Sequence, residues 1–267
     1  LTVVSQPDAP TMSVIAAQST NEDTAKAVAI TVGDADGALS CTSTNLSYTS
    51  SLPSIVASTG AVSWSGTWPN CTGTVTPVPN ANGNVDITFT ISDGILTASR
   101  LFTLSVIAVN DAPSVVVTLP SPSTGCTSYC INEDTPTASI AVTISDVDGP
   151  TQTCNSTYLS YTSTVTSVVA SSGALTWGGT WPHCTAIIAP VANASGTATI
   201  TFTVSDGTAR SAGQSFTLTV NSVNDAPAIA AIPPQTSSED TATSQIAVTL
   251  TDVDGPTGSC DSTYASG

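Results

Sequence analysis

Hydrophobic and polar residues alternate along much of this chain in short runs. The clearest are AVAITV at residues 27–32, VDITFTI at 85–91 and RLFTLSVIAV at 100–109. Alternation with a period of two puts one set of side chains on each face of a strand. Gly, Pro, Asn and Asp bound these runs, and these are the residues that turns demand. No helical period extends beyond about two turns. The pattern predicts an all-β chain. Several short strands in each stretch of about a hundred residues read as an antiparallel β-sandwich of immunoglobulin-like architecture.

Internal repetition organises these strands. VSWSGTWPNC, ending at Cys71, recurs as LTWGGTWPHC, ending at Cys184. Asp34-x-Asp36-Gly37 returns as Asp146-x-Asp148-Gly149 and again as Asp252-x-Asp254-Gly255. Glu22-Asp23-Thr24 returns at Glu133 and at Glu239, and Ile91-Ser-Asp93-Gly94 returns as Val204-Ser-Asp206-Gly207. The phrase Asn110-Asp111-Ala112-Pro113 reappears as Asn224-Asp225-Ala226-Pro227, and in shortened form as Gln6-Pro7-Asp8. LTVVSQPDAP at 1–10 matches LSVIAVNDAP at 104–113. Residues 1–10 are therefore expected to form the last strand of a preceding repeat. Two full repeats follow at 11–111 and 112–225, and 226–267 opens a further one, so the sequence reads as a window on a longer tandem array.

Cysteine spacing follows the same register. Cys41 and Cys71 lie 30 residues apart, as do Cys154 and Cys184, at matching places in the two repeats. Each repeat is expected to carry its own disulfide. Cys260 matches Cys154, so its partner would lie beyond residue 267. Cys126 and Cys130 fall in SPSTGCTSYC, which only the second repeat has, and a small local disulfide is expected there. A zinc site is the alternative, with one His, His183, in the whole chain to support it.

Charge narrows the partners. The net charge is −16 with only three Lys and Arg, so a phosphate backbone or an anionic membrane surface would be repelled. No apolar run reaches the roughly 20 residues that span a bilayer, and no n-region and h-region precede the first strand-like segment, so a signal peptide is expected to be absent here or already removed. All of the 19 acidic residues except Asp86 and Asp261 fall in the repeated motifs. Acids placed for solubility alone would be scattered. Clustered carboxylates repel one another unless a cation joins them, and calcium takes six to eight oxygens from carboxylates, carbonyls and water. The alternative is that each Asp caps its own turn, since Asp-Gly is a common turn pair.

In this order, the phrases Val-Asn-Asp-Ala-Pro, Glu-Asp-Thr, Asp-Val-Asp-Gly and Val-Ser-Asp-Gly resemble the cadherin-like tandem repeats of large bacterial surface adhesins. The resemblance covers the whole chain and implies calcium at the junctions of successive domains. By that resemblance Asn110, Asp111, Asp146, Asp148, Asp206 and Glu22 are the ligands of one joint. Asn224, Asp225, Asp252, Asp254 and Glu133 serve the next, and Asp8, Asp34, Asp36 and Asp93 serve the first. The Asp-Arg-Glu motif of cadherins is missing, so one ion per joint is expected rather than three.

The function these features imply is a calcium-stiffened extracellular or cell-surface array: a stalk, fibre or adhesin shaft. Its partners would be its own neighbouring repeats. Two alternatives stand beside it. One is a self-assembling filament or sheath, in which a strand of one copy completes the next. The other is a glycan-binding module using Trp64, Trp68, Trp177 and Trp181, whose plainer role is core packing. No nucleophile motif or zinc-protease motif is present, and paired carboxylates that recur at every joint fit a structural role better than an active site, so no enzyme is expected.

Overall fold

The alternating runs form strands whose apolar face turns inward. The computed structural model describes residues 6–121, 129–149 and 152–255, among which there is no α-helix. The first repeat contains β1 (Thr11–Met12), β2 (Gln18–Asn21), β3 (Lys26–Gly33), β4 (Leu46–Ser50), β5 (Val62–Thr67), β6 (Asn70–Val75), β7 (Gly83–Ser92) and β8 (Thr97–Ile107). They form two four-stranded sheets, ordered β1-β3-β6-β5 and β2-β8-β7-β4. In β3, Val28, Ile30 and Val32 are buried while Ala27, Ala29 and Thr31 face out; in β7, Val85, Ile87, Phe89 and Ile91 do the same for the opposite sheet. One hydrophobic core joins these two inner faces.

The second repeat reproduces the plan with β9 (Ser114–Thr118), β10 (Tyr129–Asn132), β11 (Ile140–Ser145), β12 (Leu159–Ser163), β13 (Leu175–Thr180), β14 (His183–Ile188), β15 (Gly196–Val204) and β16 (Gln214–Asn221). Its sheets are β9-β11-β14-β13 and β10-β16-β15-β12, around a core of its own. A two-stranded pair, β17 (Ala228–Ile229) with β18 (Leu250–Thr251), follows. By contact the chain divides into Leu1–Asn110 and Asp111–Gly267. The fold is all-β, with tandem immunoglobulin-like sandwiches. One detail departs from a purely antiparallel sandwich: β2 runs parallel to β8, and β10 parallel to β16. The opening strand of each repeat starts on one sheet and then crosses to the other, where it lies beside the last strand and points the same way.

The disulfides form as the spacing requires. Cys41, in the connection from β3 to β4, is bonded to Cys71 in β6, with Cα atoms 5.3 Å apart; Cys154 and Cys184 repeat this at 5.5 Å. Cys130 is also disulfide-bonded, which removes it as a zinc thiolate, whereas Cys126 and Cys260 lie outside the described residues. His183 is exposed at the start of β14.

All four Trp are half-buried and pack against the cores. Trp64 stands edge-on to Phe89 with ring centroids 4.7 Å apart, directly across the strand pair from Gly73. A Cβ at Gly73 would lie 2.7 Å from Trp64 Cζ3 and 2.8 Å from the Phe89 ring. Gly73→Ala is therefore expected to destabilise the first repeat by about 1 kcal/mol, the low end for overpacking. The low end applies because the second repeat holds Ala186 at this place. Urea unfolding checks this, and an unchanged midpoint would show that the rings yield freely.

Candidate cation site

The first two Asp-x-Asp motifs follow an inner strand of a sheet, β3 and β11, and the third follows β18; each closes a turn of its own. The backbone N–H of Asp36 donates to Asp34 Oδ1 at 2.8 Å; Asp148 to Asp146 and Asp254 to Asp252 do so at 3.1 Å. The second Asp of the motif then accepts the backbone N–H of the boundary Asp. Asp8 donates to Asp36 Oδ2 at 2.7 Å, Asp111 to Asp148 Oδ2 at 2.5 Å and Asp225 to Asp254 Oδ2 at 2.5 Å. Three copies of one arrangement thus tie the boundary phrase to the motif. The geometry leaves one oxygen over. Asp34 Oδ2 and Asp146 Oδ2 are closed off from water with no hydrogen-bond partner. A carboxylate oxygen so placed loses its hydration without replacement, which is costly unless a donor or a cation meets it.

The Glu of Glu-Asp-Thr is the most deeply placed acid of its repeat. Glu22 is 3% exposed; its Oε1 accepts the Val109 N–H at 2.6 Å, and its Oε2 is buried without a hydrogen bond. Glu133 is 5% exposed and holds the Val223 N–H at 2.6 Å in the same manner. Each Glu therefore clamps the segment that leaves the last strand of its repeat.

The Asp that follows is a participant that motif reading did not assign. Asp23 and Asp134 adopt positive φ, and their Oδ1 atoms accept the backbone N–H of Asn80 and Asn193, each at 3.0 Å. With its amide nitrogen turned inward, Asn193 donates to Asp134 Oδ2 and Asp225 Oδ2, both at 3.2 Å. The repeated αL Asp and Asn were the available sequence signal, since these two types tolerate that conformation best.

These contacts gather acids around Asp225. Its carboxyl is held above the ordinary Asp range by desolvation first, and then by repulsion from Asp254, Asp134, Glu133 and Asp252. Asn224 turns its amide to the Asp225 carbonyl at 2.7 Å. Asp93 behaves oppositely. Backbone N–H groups of Leu96 and Ile95 bind its Oδ1 at 2.6 and 2.7 Å and push its pKa down. Asp206 Oδ1 likewise accepts the backbone N–H groups of Thr208 and Ala209. For Asp93 and Asp206, Oδ1 is engaged in turn capping. A lowered carboxyl favours folding fully above the ordinary Asp value of 3.8, and this contribution is lost as pH falls through the lowered value. Asp93→Ala should therefore flatten the acid limb of the first repeat's stability curve, which melts across that range would register.

No protein-family model matches the sequence, and no curated protein matches it. Among solved structures the chain is similar to the titin domains z1z2 in complex with telethonin, at 13% identity over 83% of this chain and all of that one, with a TM-score of 0.31. It is also similar to the I-band fragment of titin, at 10% identity over 84% of this chain and 68% of that one, with a TM-score of 0.33. The tandem Ig repeats of Dlar match at 10% identity over 80% of this chain and 98% of that one, with a TM-score of 0.28. At these identities the likeness concerns the fold alone.

Proposed function

We propose that this chain is a segment of an extracellular structural or adhesive array, of the cadherin-like kind found in bacterial surface adhesins, whose joints calcium stiffens. The observation that carries the reading is the repeated carboxylate arrangement. In all three copies the boundary Asp is fastened by its backbone to the second Asp of the motif, and in the first two Oδ2 of the first Asp is buried without a hydrogen bond. At Asp225 desolvation first, and then the neighbouring acids, raise its carboxyl, and a cation would relieve the repulsion among those acids. The buried oxygens of Glu22, Asp34 and Asp146 that lack a hydrogen bond are hard donors of the type calcium takes, and the acids around Asp225 include no soft thiolate or imidazole. Asp225, Asp252, Asp254, Glu133 and Asp134 would hold the ion at that boundary. Bound calcium would neutralise them together and fix the boundary segment to the motif loop.

Disulfides in both repeats support an oxidising, extracellular setting. Metal analysis of the purified chain by mass spectrometry tests the reading directly. Calcium retained in stoichiometric amounts after desalting is the expected result. Calcium-free protein that also shows no calorimetric response to added calcium would refute it.

A further inference from the structure

The two repeats differ beside their first Trp, and in the second a groove lies there. In the first repeat Trp64 lies over Gly73, 4.7 Å from Phe89, with no room for a Cβ. In the second repeat the residue facing Trp177 across the strand pair is Ala186, fully buried. Its methyl group occupies the space that Gly73 leaves to the rings. Trp177 accordingly stands farther from its phenylalanine, 5.3 Å from Phe202 and tilted at 59°. A groove of about 570 Å³ lies beside Trp177, along β12 and β13.

Its lining defines what it would take. Trp177, Tyr161 and Leu175 supply apolar and aromatic surface, and Ser171, Ser172 and Thr176 supply hydroxyl groups. None of those three hydroxyls is committed to a hydrogen bond among the described residues, whereas the Tyr161 hydroxyl is held by Ala170 and Ala174. No Asp, Glu, Lys, Arg or His lines the groove. With a net charge of −16 on the chain, an anionic ligand would be repelled and a cationic one would find no counter-charge here. An aromatic surface bordered by neutral hydroxyls suits a ligand with apolar C–H faces and hydroxyl edges, and the volume lies within the range of small-ligand sites. We propose that the second repeat binds a neutral oligosaccharide in this groove through Trp177, and that Ala186 shapes the site by holding the indole farther from Phe202 than Trp64 lies from Phe89.

This site is separate from the carboxylates around Asp225, so the test is run with calcium present. Cellotetraose, chitotetraose and mannotetraose are titrated calorimetrically into the full chain, and the indole N–H resonance of Trp177 is followed in parallel. At least one of the three should bind and shift that resonance. Ala186→Gly, which lets the indole settle as Trp64 does, should weaken binding about tenfold or more, as expected for an aromatic anchor. Because this change removes a fully buried methyl and places Gly in mid-strand, its melting temperature should fall by roughly 4–8 °C, so binding is read well below the transition, where the repeat stays folded. Trp177→Ala should abolish binding and Trp64→Phe should leave it intact. The proposal is overturned if none of the sugars shifts Trp177 at about 10 mM, a concentration that detects even weak sites. It is equally overturned if Ala186→Gly binds as the parent does, or if Trp64→Phe loses as much.

Discussion

Calcium added to chelator-treated protein is expected to raise its melting temperature on the order of 10 °C. An ion at a hundredfold excess over its dissociation constant stabilises the folded state by about 2.7 kcal/mol. In a domain of about a hundred residues each kcal/mol moves the midpoint by about 4–8 °C. The pH dependence should also change sign. The Asp225 carboxyl is raised by desolvation and by its acidic neighbours. Without the ion, its penalty on folding is fully present above the raised value. It is relieved as pH falls from there to the ordinary Asp value of 3.8, because the folded state takes up the proton first. Calcium requires the same groups ionised, so in its presence that fall in pH should weaken folding. Asp225→Asn removes one charge and keeps the backbone N–H that meets Asp254. It should stabilise the calcium-free protein and blunt the response to calcium. Melts that coincide with and without the ion, at every pH in the window, would exclude a cation at this boundary.

The second large effect is expected from the disulfides. Cys41 and Cys71 close a loop of 30 residues, and so do Cys154 and Cys184. Restricting the unfolded chain by a loop of that size is worth about 3.6 kcal/mol on the chain-entropy estimate. The double substitution Cys41→Ala with Cys71→Ala should cost the first repeat about that much, and more if the buried site of Cys71 fails to close over the lost sulfur atoms. The second repeat has its own core and its own disulfide, so its transition should stay in place. Denaturant unfolding followed by hydrogen exchange would resolve the two. A loss spread equally over both repeats would show that their cores are not independent.

Strand existence and disulfide pairing were both legible because each is encoded locally. Period-two alternation states which side chains share a face, and within the alternating runs Val28, Ile30, Phe89 and Ile91 are buried in the structure. The equal spacing of Cys41–Cys71 and Cys154–Cys184 likewise identified the pairs through repetition alone. Clustering of acids in the motifs pointed to shared chemistry, and the Asp-x-Asp turns form as that pattern suggests.

The rest depended on contacts between distant parts of the chain. Glu22 meets the Val109 N–H across 87 positions, and Asp8 meets Asp36 across 28. Backbone donors carry no side-chain signature, so no motif could announce these partners. The same holds for Asp134 and Asn193, whose αL conformations bring them to Asp225. For Asp93, sequence left both ligand and turn cap open; the fold commits one oxygen to the cap, because Ile95 and Leu96 present their N–H groups to it. The two TWP loops read as equivalents, yet with Ala186 in place of Gly73 the indole of Trp177 stands 5.3 Å from Phe202, where Trp64 stands 4.7 Å from Phe89. By itself the sequence determined the repeat, the strand faces and the cross-links, since these follow from local pattern and spacing. Which carboxylate oxygens are spent on the backbone, and which are buried without a hydrogen bond, only the tertiary structure decided, because burial and N–H donors come from chain segments far apart.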